Sequence, residues 1–158
     1  LKRKDRGGGR AVREATRDPR AFARCSRRLE RAIAASCDPR RPWAARVAAA
    51  IRAALAFADT DPIAAGVVAV PAAFRRYAEP TSFAEFVDRL AVRLRDGAPP
   101  TRHPERTARN VVIRVARQTL LQLEMRPGSP PSDIAPELIV FALTPYVGLA
   151  EAQRWADS

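Results

Sequence analysis

The chain has 158 residues, 47% of them hydrophobic, and carries 28 lysines and arginines against 17 aspartates and glutamates, a formal net charge of +11. That length suits one domain of ordinary size, which buries roughly 68–70% of the surface its unfolded form exposes, so neither disulfide staples nor a structural metal is needed. The hydrophobic share excludes wholesale disorder, and no apolar run reaches the roughly 20 residues of a membrane-spanning helix.

Residues 1–17, LKRKDRGGGRAVREATR, read as a basic, flexible arm, because Gly7-Gly8-Gly9 has no side chain to bury and much backbone entropy to lose. The charge is concentrated at this end: residues 1–31 hold twelve basic and four acidic side chains, and the other 127 hold sixteen and thirteen. Such an arm is either a solvated tail or an electrostatic tether for DNA phosphates. Residues 18–158 read as one helical domain. Asp18 is a suitable N-cap, and Pro19 a suitable first residue, for a helix reaching Ser36 with Phe22, Cys25, Leu29 and Ile33 on one face. Asp38-Pro39-Arg40-Arg41-Pro42 breaks the chain.

A second helix is predicted from Trp43 to about Asp59. Trp43, Val47, Ile51 and Leu55 recur every four residues, and Ala44, Ala48, Ala49, Ala50, Ala53 and Ala54 allow close helix approach. Asp61-Pro62 repeats the cap-and-proline signal, and the helix it opens, Ile63 to Val70, is apolar nearly all round and so should be buried. Pro71 to Glu79 is short and mixed. Ser82 and Glu85 form a capping box ahead of the stripe Phe83, Phe86, Val87, Leu90 and Leu94, and Gly97 stops that helix. Beyond the linker at 98–104 a long helix is predicted from Glu105 to Arg126. Residues 127–133 break the chain, and Ile134 to Leu143 is strongly apolar. Pro145 should end or kink that helix, and Gly148 to Asp157 should close the chain with a short amphipathic turn or two. The valine-rich runs at 67–70 and 111–115 sit inside helical frames. The fold class expected is therefore all-α, an antiparallel helical bundle of about six or seven helices.

Little in the sequence supports catalysis. The one histidine, His103, lies between Arg102 and Pro104 in a linker. Cys25 and Cys37 lack metal spacing and, at twelve residues apart, would be roughly 18 Å apart along one helix. Free thiols fit a reducing cytoplasm, and no signal peptide is recognisable. No glycine-rich phosphate loop joins a strand to a helix, and Asp59, Asp61, Asp88 and Asp96 read as caps and surface charges. The doublets Arg40-Arg41 and Arg75-Arg76 lack the aromatic interleaving of single-strand binders. No enzyme, cofactor or metal is expected. Lys2 and Lys4 are the only lysines among the basic residues, which, with abundant alanine and proline, suggests a GC-rich bacterial gene.

Two stretches carry a resemblance. In ERAIAASCDPRRPWAARVAAAIRAALAFADTDP a tryptophan, Trp43, opens a helix that closes near an acid-proline pair, Asp61-Pro62. In PELIVFALTPYVGLAEAQRWA, Pro145, Tyr146 and Gly148 are followed by Glu151 and Ala152. In this order and spacing, from Phe22 to Trp155 and over about 85% of the chain, the sequence resembles the C-terminal domain of the tetracycline-repressor (TetR) family of bacterial transcriptional regulators. The resemblance implies an effector-sensing and dimerisation domain. Its homodimer would be isologous and built from Glu105–Arg126 and Ile134–Leu143, with Val112, Leu120, Leu123, Ile134, Leu138 and Phe141 at the interface. The apolar faces of these helices are wider than one core face requires, which agrees with such an interface; a plain core is the alternative.

The resemblance also implies a pocket for a small apolar or amphipathic ligand, lined by Trp43, Val47, Phe57, Phe74, Phe86, Leu90, Val115 and Thr119. Aromatics at helical spacing serve as well in a filled core. The family's helix-turn-helix head has no counterpart in residues 1–20, so DNA is expected as a partner only with such a head upstream of Leu1. A headless dimeric interaction module and non-specific nucleic-acid binding through the basic arm are the alternatives. No membrane partner is expected.

Overall fold

Acidic caps and prolines set where the helices begin. In the computed structural model, which describes residues 18–73 and 81–158 together with Val12, Glu14 and Ala15, Asp18 accepts the Arg20 backbone N–H at 2.9 Å and opens α1, Pro19–Ser36. Helix α2, Trp43–Thr60, follows the proline-bounded turn. Asp61 then accepts the Ala64 N–H at 3.0 Å and opens α3, Pro62–Ala69, which tightens into a 3-10 turn over Val70–Ala73. Next come α4, Thr81–Arg95, and α5, Pro104–Met125, the latter 22 residues and so about 33 Å long. A 3-10 turn over Pro131–Ile134 leads into α6, Ala135–Val147, and α7, Leu149–Ala156, closes the chain. Seven α-helices and no strand are present among the described residues. The fold is an all-α helical bundle.

Two local differences from the sequence expectation have simple causes. Helix α4 begins at Thr81, which puts Ser82 inside the first turn instead of at the cap. Helix α6 runs through Pro145 to Val147 without ending there. Pro145 deprives the helix of one N–H, but it stands in the last turn, on the exposed side, where water can satisfy the freed carbonyl. The helix then ends at Gly148, whose φ of 81° is open to glycine and strained for other residues.

The packing divides into two main clusters. In the first, Ile51 and Leu55 of α2 meet Leu138, Ile139, Ala142 and Leu143 of α6 and Ala152 of α7. In the second, Phe22 of α1, Val67 and Val68 of α3, Phe83, Phe86 and Val87 of α4 and Ile113 of α5 come together. Phe22 meets Phe83 and Phe86 edge-on, at centroid distances of 6.5 and 6.1 Å, the arrangement favoured by the ring quadrupoles. The arm expected over residues 1–17 lies mostly outside the described residues. Two of its members are helical and half-buried: Val12 packs against Ala69, Val70 and Leu120, and Ala15 against the second cluster. A Cβ on Gly66 would come within 3.1 Å of the Val12 methyls, so glycine is what admits Val12 there.

The residues expected at a dimer interface separate. Leu138 and Leu120 are only 1% and 5% exposed, turned into the core of their own chain by the packing of α6 on α2 and of α5 on α3. They are therefore not available to a second copy. Leu123 is half-buried, Ile134 packs against the first cluster, and Val112 faces the interior space described below. Phe141 is the one that points outward, 38% exposed. Leu121 and Met125, which the sequence reading did not single out, are exposed on α5. Among the described residues no helix is long and apolar enough to cross a membrane.

Candidate functional site

Helix α2 presents two apolar stripes. One, with Ile51 and Leu55, enters the first cluster. The other, through Trp43, Arg46, Ala50, Ala54 and Phe57, faces a cavity of about 390 Å³ between the two clusters. Five helices supply its wall: Leu29, Ile33 and Ala34 from α1, the α2 stripe, Ala65, Val68 and Ala69 from α3, Phe86, Leu90 and Leu94 from α4, and Val111, Val112, Val115, Ala116 and Thr119 from α5. The space persists because its floor is built from small side chains. Ala34, Ala50, Ala54, Ala65, Ala69 and Ala116 cannot reach across, while the phenylalanines of the second cluster pack against one another, joining α1 to α4. A volume of this size lies within the range of small-molecule sites.

Trp43, Val47, Phe57, Phe86, Leu90, Val115 and Thr119 all line the cavity, so the structure brings together seven side chains that the sequence analysis grouped as a pocket. Phe74 lies outside the described residues. Val112, expected at the dimer interface, belongs to the cavity wall instead, because the α5 face it shares with Val115 and Thr119 turns inward.

The polar groups of the wall are few, and all but Thr119 gather at one end. Trp43 Nε1 donates to the Leu94 carbonyl at 2.7 Å, and Arg46 Nη2 donates to the Asp96 carbonyl at 3.0 Å. Side chains of α2 thus satisfy carbonyls that the end of α4 leaves without intrahelical donors. The Trp43 ring also stacks at a tilt on Tyr146 of α6, 4.8 Å between centroids. Burial pushes the Tyr146 hydroxyl pKa up, and Arg95 opposes that shift. Gly97, φ 77°, turns the chain away at this point, and a Cβ there would stand 2.9 Å from Arg46 Nη2. Arg93 and Asp96, both exposed at their tips, mark the mouth. Deeper in, the Thr119 hydroxyl donates to the Val115 carbonyl at 2.8 Å, so its lone pairs are the polar feature it can offer a ligand. The Cys37 thiol borders the cavity and donates to the Arg46 carbonyl at 3.7 Å.

Sequence reasoning missed Arg46, Arg93 and the alanine floor. The signal was present in α2, where 43, 46, 50, 54 and 57 follow helical spacing as well as 43, 47, 51 and 55 do. Alanines and an arginine on that second stripe read as a helix flank. They become a cavity wall only because of what α1, α3 and α4 place opposite. No group of histidine, cysteine and carboxylate side chains among the described residues has the arrangement of a metal site. No family model matches the chain, and neither a curated protein nor a solved structure matches it.

Proposed function

We propose that this chain is the effector-sensing and dimerisation domain of a TetR-like transcriptional regulator, working in the cytoplasm on a small apolar or amphipathic ligand. The observation that carries this reading is the apolar cavity at the meeting point of five helices. A ligand there touches α1, α2, α3, α4 and α5 at once and so can favour one of their arrangements over another. It does so only to the extent that it binds the two arrangements unequally. Joined to helix-turn-helix heads, such a shift would alter their separation, which must match half-sites about 34–36 Å apart. Two cysteines that form no disulfide suit a reducing compartment.

Dimerisation is assigned to the outward faces of α5 and α6. Arg114, Leu121 and Met125 follow one another along one stripe of α5, Met125 is 74% exposed, and the Arg114 guanidinium lies 5.2 Å from the centre of the Phe141 ring. Burial of such side chains drives association in isologous pairs.

Two measurements test the reading. Thermal-shift screening with neutral apolar compounds is expected to raise the melting temperature, and the compounds that do so should slow alkylation of Cys37 by iodoacetamide. A folded protein that no compound stabilises rules out the sensing role. In sedimentation, a dimer is expected that Phe141→Glu with Met125→Glu converts to a folded monomer. A wild-type monomer rules out the dimerising role.

A further inference from the structure

The ligand's chemistry can be narrowed, on the reading of the cavity as a ligand site, by the charges at its mouth. The walls alone would accept any apolar body of suitable size. Three charged side chains, Arg46, Arg93 and Asp96, also line the space. Asp96 is 81% exposed, and its carboxylate stands 3.8 Å from Arg46 Nη1, a loose pair that water screens. Arg46 is far less exposed, at 24%. One of its Nη2 donors reaches the Asp96 carbonyl, but its Nε–H is buried with no acceptor among the described residues. A buried donor of this kind is a place where a partner gains most. Arg93 has its nearest carboxylate, Glu30, at 3.8 Å, and that carboxylate is held more tightly by Arg89, at 2.8 Å. Both guanidinium groups therefore keep donors to spare, and the one carboxylate among the described residues of the wall is turned to solvent.

We propose that the cavity binds an amphipathic anion, a carboxylate carried on an apolar chain, with the carboxylate at Arg46 and Arg93 and the chain between Val47, Phe86, Leu90 and Val115. A guanidinium presents paired N–H groups that match the two carboxylate oxygens, and hydrogen bonds between ionised partners are roughly twice as strong as neutral ones. An amine at the same place meets two like charges. An alcohol fills the walls but gives Arg46 only a neutral acceptor.

Calorimetric titration of the full chain with decanoate, 1-decanol and decylamine at neutral pH separates these cases. Decanoate is expected to bind on the order of tenfold more tightly than 1-decanol, and decylamine most weakly. Raising the salt concentration should weaken decanoate alone. Arg46→Gln and Arg93→Gln should each narrow the gap between decanoate and 1-decanol by weakening decanoate far more than 1-decanol. Arg46 also supports the end of α4, so if Arg46→Gln loses its helical circular dichroism, Arg93→Gln and the salt series decide. Equal binding of decanoate and 1-decanol to the wild type overturns the anion assignment and leaves an apolar site. A decanoate preference unchanged in the folded variants also overturns it. Failure of all three compounds to bind the folded protein overturns the cavity reading itself.

Discussion

Helix α2 divides the bundle into two unequal halves. Toward α6 and α7 it meets a filled core in which Leu55, Ile139, Ala142 and Leu143 are wholly inaccessible. Toward α4 it faces open space. Alanine is abundant on both sides and does opposite things. Ala48 and Ala142 let helices approach until larger neighbours close the gaps. Ala50 and Ala54 face a gap that Phe86 and Leu90 of α4 border without closing, so the same small side chain leaves a hole. A small residue therefore has no fixed meaning for packing. What decides is whether the elements around it are free to close in.

The largest effect expected from this contrast is on stability. Leu143→Ala removes a fully buried side chain from the filled half and should cost about 2–5 kcal/mol, because the surroundings can relax only in part. Leu90→Ala, on the cavity wall, should cost about 1 kcal/mol, since the half-buried Leu90 already borders empty space and loses fewer contacts. Urea unfolding of both variants, with unchanged m-values, checks the difference. Equal losses would mean that the two halves are packed alike.

The helices were legible because their ends carry local chemistry. Asp18-Pro19 and Asp61-Pro62 mark starts that need nothing from the rest of the fold, and Gly97 marks a stop. The pocket side chains were legible as a group because bulky residues on inward faces converge in any bundle. Whether they enclose space was not, since that depends on separations between helices far apart in sequence. The dimer assignment illustrates the same limit. Leu120 and Leu138 lie on wide apolar faces, but only the packing of α5 on α3 and of α6 on α2 shows which part of each face the chain uses for itself. The role of Arg46 was hidden for a similar reason, because its partner at Asp96 is 50 residues away.

One substitution made in both halves sharpens the comparison further. Ala142→Leu forces extra volume into the filled core and should cost about 1–3 kcal/mol. Ala54→Leu puts the same atoms into the cavity and should stabilise the protein by up to about 1 kcal/mol while abolishing binding of 1-decanol. The pair is read by thermal unfolding and titration together. Destabilisation by both would show that the space at Ala54 cannot accept a side chain, and so could hardly accept a ligand.

The halves also differ in what secures them. On the filled side the closing lock is Arg52, which donates at 3.1 Å to the carbonyls of Trp155 and Ala156. On the cavity side α3 is anchored by Asp61, whose carboxyl pKa is held below its ordinary value first by the Ala64 N–H and then by Arg28, 2.9 Å away. A depressed carboxyl pKa means that the ionised form is favoured in the folded state. Its contribution is complete above the usual carboxylate range and is lost as the pH falls through the folded value. Asp61→Ala should therefore cost about 1 kcal/mol at neutral pH, the ordinary worth of a helix cap, and the charge-dependent part of that cost should vanish in acid. Asp61→Asn keeps a capping oxygen, so it should lose less at neutral pH and show the same flattened acid profile. Hydrogen exchange places the effect: α3 amides should lose protection in acid before those of α6, because close packing holds the filled half while a titrating carboxylate helps to hold the hollow one.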